Sequence, residues 1–115
     1  MQLSKTQASI SGTIDLEATS RVYTLQTNGQ IFTLTKQPHE VLVGLGVDFR
    51  RFLAKGETLF SGTCVNGTFL RVEGTTAFCA VSGGTSGATL RVTLTGQGDK
   101  GSVVEGELKV IVTEV

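Results

Sequence analysis

Leu90-Arg91-Val92-Thr93-Leu94-Thr95, followed by Val104-Glu105-Gly106-Glu107-Leu108-Lys109-Val110-Ile111-Val112, is the stretch that decides the fold. Leu90, Val92 and Leu94 alternate with Arg91, Thr93 and Thr95, and Val104, Leu108, Val110 and Val112 alternate with Glu105, Glu107 and Lys109. A side-chain period of two turns one face toward a core and the other toward water, which is the mark of a strand. Between the runs lies Gly96-Gln97-Gly98-Asp99-Lys100-Gly101, polar and glycine-rich, as a turn requires. The two runs therefore predict a long antiparallel hairpin.

Working outward, the same pattern recurs. Asn28-Gly29 stands between Val22–Thr27 and Gln30–Thr35, and both residues tolerate the positive φ of a tight hairpin turn. Pairing Thr27 with Gln30 sets Leu25 opposite Phe32 and Tyr23 opposite Leu34, all on one face. Asn66-Gly67 is a second hairpin candidate, with Cys64 opposite Phe69 and Thr63 opposite Leu70. Ala8–Ile14 reads as an earlier strand. One segment breaks the period: Asp48-Phe49-Arg50-Arg51-Phe52-Leu53 spaces its apolar residues as a helix does. Asp48 suits an N-cap, and Phe49 and Phe52 are expected to drop onto the core. Roughly eight short strands separated by turn signals favour an antiparallel all-β sandwich over a closed barrel.

The chain has 115 residues and a formal net charge of zero, with 17% charged and 39% hydrophobic residues. One domain over 1–115 is expected, with 1–35 as an N-terminal strand and hairpin extension. A balanced charge argues against nucleic acid and anionic lipid as partners, since both need excess positive charge. No secretory signal or apolar run long enough for a membrane helix is read. Weakly charged surfaces tend to associate.

Chemistry-bearing residues are sparse. His39 is the single histidine, beside Pro38, and reads as a solvated loop residue. Cys64 and Cys79 read as one disulfide or two buried thiols; in an assembly, either could also link neighbouring subunits. One His and two Cys in separate strands lack zinc spacing, so neither a metal nor a cofactor is expected. Glu105 and Glu107 read as a solvated strand face. Ser82-Gly83-Gly84-Thr85-Ser86-Gly87 precedes a strand and lacks the Lys-Ser/Thr ending of a phosphate loop, so it reads as a tight connection. Phe49 and Phe52 serve better as core anchors beside Arg50 and Arg51 than as stacking platforms for bases. What remains is backbone: open strand edges able to pair with neighbouring copies.

From Lys36 onward, several motifs occur in a set order. Lys36-Gln37-Pro38-His39-Glu40-Val41-Leu42 is followed by Val47-Asp48-Phe49-Arg50-Arg51-Phe52-Leu53 and Gly56-Glu57-Thr58-Leu59. Ser82-Gly83-Gly84-Thr85-Ser86-Gly87-Ala88-Thr89-Leu90 then leads into the alternating strands. This order resembles a family of tailed-bacteriophage virion proteins, small Ig-like β-domains described as fiber–tail adaptors. Phe stands where many members have Trp, and Leu90 where an aromatic is common. Residues 1–35 lie outside the resemblance.

The resemblance implies an antiparallel Ig-like β-sandwich and a non-enzymatic structural role in the virion. Its partners would be other virion proteins (portal, tail, fiber or capsid) and further copies of itself, with synthesis in the cytoplasm of a bacterial host. Asn28, Gly29, Gln37, Pro38, His39 and Glu40 are the expected interaction residues, within the hairpin and the loop Gln37–Gly46. Asp48, Phe49, Phe52, Gly83, Gly84 and Gly87 are expected to be structural. Capsid decoration is the alternative role. An Ig-like surface or carbohydrate-binding module is another, though sugar sites normally need exposed aromatic platforms.

Overall fold

A computed structural model describes residues 21–114 of the chain. The strand expected over Ala8–Ile14 lies outside the described residues.

Alternation builds the hairpin expected in the C-terminal third. β7 (Thr89–Gly98) and β8 (Val103–Val112) pair antiparallel, from Thr89 opposite Ile111 to Gln97 opposite Val103. Val92, Leu94, Leu108 and Val110 are fully buried, while Arg91, Glu105 and Gln97 are exposed. The turn is shorter than the glycines suggest. β7 continues through Gly98, and the chain reverses only beyond it, where Gly101 N–H donates to the Gly98 carbonyl at 3.2 Å. Gly98 is glycine because a Cβ there would sit 2.2 Å from the Glu57 carboxylate.

β2 (Ile31–Lys36) and β4 (Leu59–Val65) complete this sheet in the order β2-β8-β7-β4. The second sheet holds β1 (Arg21–Thr24), β3 (Leu42–Asp48), β6 (Thr76–Val81) and β5 (Thr68–Glu73), in the order β1-β3-β6-β5. The sheets pack face to face as an all-β sandwich, an arrangement compatible with an Ig-like domain. Each sheet is antiparallel except at one edge, where β1 runs parallel to β3 and β2 parallel to β8.

That pairing corrects the Asn28-Gly29 hairpin. Gln30 N–H donates to the Thr27 carbonyl at 3.2 Å, so the dipeptide does make a tight turn. The turn carries the chain from one sheet to the other: Tyr23 pairs with Val47, and Phe32 with Leu108. The shared apolar face explains the choice. An isolated two-stranded ribbon buries little, whereas opposed strands bury their apolar sides against each other. The Tyr23 and Phe32 rings accordingly meet between the sheets, 5.1 Å between centroids. Asn66-Gly67 is corrected in the same way. It connects β4 to β5 across the sandwich, leaving Cys64 opposite Leu94 and Phe69 opposite Cys79. Ser82–Gly87 makes a third such crossing, between β6 and β7, with Gly83, Gly84 and Gly87 all at positive φ. Within the second sheet the local hairpin is β5–β6, closed between Glu73 and Thr76.

The expected helical turn is a single 3₁₀ turn over Arg50–Phe52. Asp48 Oδ1 accepts from the Arg50 N–H at 3.0 Å and from the Thr75 hydroxyl at 2.7 Å. The N-cap position itself falls on Phe49, one residue later than expected. Phe49 is fully buried, and Phe52 packs against the core while half-buried. Phe49 lies over Gly106, where an added Cβ would come within 3.3 Å of its ring. Leu45, Val47, Val81, Val92, Leu94, Leu108 and Val110 fill the rest of the interior. Each such side chain contributes roughly 1.5–3 kcal/mol by leaving water.

Candidate functional site

Among the described residues β2 is an edge strand, and its backbone tells which groups face away from β8. Thr113 N–H donates to the Lys36 carbonyl at 2.9 Å, in line with the β8 ladder. Backbone groups alternate sides along a strand, so Lys36, Leu34 and Phe32 face β8, and Ile31, Thr33 and Thr35 face the open side. The side chains of Ile31, Thr33 and Thr35 are exposed and uncharged. Natural edges are blunted by bulges, prolines, exposed lysines or brevity. β4 and β5 carry register irregularities near Leu59–Ser61 and Phe69–Arg71. β2 pairs residue for residue with β8 over six positions and carries none of these guards.

Its one lysine points inward. Lys36 is only 2% exposed, and its Nζ donates to the carbonyls of Gln37 (2.7 Å), Pro38 (3.2 Å) and Glu40 (2.9 Å). Three donors on one ammonium meet three converging acceptors, so the side chain clamps the loop that follows β2. Glu40 closes the loop from the other side: its Oε1 accepts from the Gln37 N–H at 2.9 Å. His39 and Glu40 remain exposed. The clamp was visible in principle, because Phe32, Leu34 and Lys36 share one strand face. Sequence reasoning treated Lys36 only as the opening of a motif.

The expected interaction residues therefore do not form one cluster. Asn28 and Gly29 precede β2, and Gln37–Glu40 follow it, separated by a strand of roughly 20 Å. They bracket a single open edge. At the Asn28 end, Leu25, Asn28, Phe52, Val103, Val104 and Glu105 line an open concavity of about 420 Å³. At the other end, a smaller one of about 220 Å³ includes Arg21, Glu40 and Val41.

Of the seven large exposed apolar side chains among the described residues, six lie toward two flanks, and the seventh, Val103, 70% exposed, opens the interior strand β8. Val22 lies on β1, Ile31 on β2 and Val41 just before β3, near Arg21 of β1, on one flank of the sandwich. Phe60 and Val65 lie on β4 and Leu70 on β5, on the opposite flank. Phe60 is 63% exposed, an unusual position for so large an apolar side chain.

The remaining chemistry-bearing residues are dispersed. Cys79 is fully buried and Cys64 half-buried; both are free thiols packed into the same core from opposite sheets. Cys79 therefore has no surface from which to link a neighbouring subunit. The Cys79 S–H donates toward Cys64, which lowers the Cys64 pKa; Cys79 is pushed up by that same bond and by burial. Glu107 pairs with Arg91, Arg71 pairs with Glu73 and stacks over Phe78, and Arg51 donates to Gln26 at 2.7 Å. Among the described residues, no three His, Cys, Asp or Glu side chains are grouped to hold a metal ion. No helix among them is long and apolar enough to cross a membrane.

Glu57 is the other buried charge, 2% exposed, and sequence reasoning assigned it no role beyond its motif. It accepts from the Ser102 hydroxyl (2.6 Å) and from the N–H groups of Ala54 (2.8 Å), Lys100 (2.9 Å) and Ser102 (3.0 Å). These donors, led by the Ser102 hydroxyl, bring its pKa down from 4.5 to about 2. The carboxylate fastens the β7–β8 turn to the segment before β4, so its role is structural. No protein-family model matches the chain, and no curated protein matches it.

Proposed function

We propose that this protein is a non-enzymatic structural component of a tailed-phage virion, an adaptor or connector that works as a ring of identical copies. The observation that carries the assembly is the concentration of exposed apolar side chains at two opposite flanks, Val22 and Ile31 at one and Phe60, Val65 and Leu70 at the other, beside strand edges that no described residue pairs. Two different complementary flanks make a head-to-tail interface, which closes into a ring when the rotation between copies permits. The pairing chemistry is consistent with this. β2 and β4, the two edges of one sheet, run in the same direction, so β2 of one copy continues the sheet of the next beside β4. Val22, Ile31 and Val41 would then be covered against Phe60, Val65 and Leu70. Several weak interfaces in a ring hold together by avidity. The placement in a virion rests on the ordered motifs from Lys36 to Leu90.

The test is the sedimentation of the full chain over a range of concentrations, beside Thr33→Pro. Thr33 directs its N–H to the open side, so proline removes an edge donor while sparing the β8 ladder. A discrete oligomer that Thr33→Pro dissociates, with its fold intact by circular dichroism, is expected. A monomer at every concentration overturns the ring. The virion role is read from flanking genes: portal, capsid or tail genes are expected, and an unrelated neighbourhood overturns it.

A further inference from the structure

Cys64 belongs to β4 in one sheet and Cys79 to β6 in the other, both pack into the core between the sheets, and the Gly67 corner touches the Cys64 sulfur on one side and the Ala80 carbonyl, next to Cys79, on the other. No backbone ladder joins these two strands, so a bond between them would tie sheet to sheet. The Asn66-Gly67 corner lies over the pair. A Cβ built on Gly67 would stand 2.9 Å from Cys64 Sγ, so glycine alone covers the sulfur on that side. Cys64 is half-buried there, whereas Cys79 is sealed in the core. The two thiols thus have distinct stations: one is reachable from the corner, the other only from its partner.

We propose that Cys64 and Cys79 are a reversible thiol–disulfide pair that staples the two sheets together, with Cys64 as the attacking and Cys79 as the resolving thiol. The oxidant is a small-molecule disulfide of the glutathione class. Cys64 gives its proton to solvent and its thiolate attacks one sulfur of that disulfide; the small S–S bond breaks, a mixed disulfide forms, and the small thiolate released takes up a proton. Cys79 then attacks Cys64 Sγ, the mixed S–S bond breaks, and the proton of Cys79 passes to the small thiolate that leaves. Two protein thiols are oxidised and one small disulfide is reduced to two thiols. The lowered pKa of Cys64 agrees with its being the nucleophile.

The closed loop contains the Asn66-Gly67 corner and the β5–β6 hairpin, which the staple would hold against both sheets. A cross-link over a loop of this size restricts the unfolded chain, and the oxidised form should melt roughly 10 °C or more above the reduced form. This inference is independent of the proposed virion role and holds for the isolated chain.

The experiment treats the folded full chain with oxidised glutathione, then counts free thiols in denaturant and maps tryptic peptides without reduction. The expected product is a monomer lacking both thiols, with the Gly56–Arg71 peptide linked to Val72–Arg91. Cys79→Ala should stop at the mixed disulfide on Cys64, and Cys64→Ser should stay unreacted while folded. Two retained thiols, a stable glutathione adduct on wild-type Cys64, or a dimer linked through Cys64 would each overturn the proposal. So would an oxidised monomer that melts no higher than the reduced one.

Discussion

Replacing Lys36 with methionine tests the clamp on the Gln37–Glu40 loop. Methionine matches the aliphatic stem and supplies no donor. Hydrogen bonds to a charged group are worth about 1.5–3 kcal/mol each. Lys36 makes three, to the carbonyls of Gln37, Pro38 and Glu40. Two terms reduce the total. The loop is half to fully exposed, so the released carbonyls recover water. The wild type also bears the cost of burying an ammonium, which methionine does not. A net loss of about 2–4 kcal/mol remains. In a domain of this size that lowers Tm by roughly 10–20 °C. Urea unfolding should show a lower midpoint with an unchanged m-value. Lys36→Arg should fail as well, because a planar fork cannot serve three carbonyls converging on one nitrogen. A loss below about 0.5 kcal/mol for Lys36→Met, the range of ordinary surface changes, would refute the clamp.

Three further outcomes follow from the interior. The Glu57 pKa is depressed in the fold, so its contribution is complete above the unfolded value of 4.5 and disappears as pH falls toward about 2. Acid titration of Glu57→Gln should therefore lose slope in that window, as read by circular dichroism; an unchanged slope would mean the carboxylate is not held by its four donors. Phe49→Ala should cost about 3–5 kcal/mol in chemical unfolding, because the ring is fully buried over Gly106. Asn66 has φ 65° and donates through Nδ2 to the Arg91 carbonyl at 2.9 Å. Asn66→Ala should lose that bond and add roughly 1–2 kcal/mol of left-handed strain, while Asn66→Gly loses only the bond. Equal melting temperatures for the two variants would remove the strain argument.

The interaction elements show how far a local reading reaches. Asn28-Gly29 and Gln37–Glu40 were each readable as turn or loop, from the φ demands of Asn-Gly and the missing N–H of proline. That they flank one unguarded edge follows only from β2 lying at the border of its sheet, a long-range pairing with β8. Cys64 and Cys79 were readable as small apolar residues inside strands. Their packing into one core depends on Asn66-Gly67 turning the chain across the sandwich, and nothing within either strand specifies that. Glu57 was hidden for the same reason: three of its four donors come from Lys100 and Ser102, far along the chain.

By itself the sequence determined most of the strands and the short helical turn, because period-two alternation and the spacing of Phe49 and Phe52 are local consequences of backbone geometry; Leu42–Gly46, read as loop, belongs to β3. Beyond the β7–β8 hairpin, tertiary structure decided which strands pair. Tyr23, Leu25, Phe32 and Leu34 carry the same apolar pattern whether hydrogen-bonded side by side or opposed across a core. The larger burial in the opposed arrangement overrides the local hairpin, converts two Asn-Gly turns into sheet-to-sheet corners, and leaves β2 open at the border.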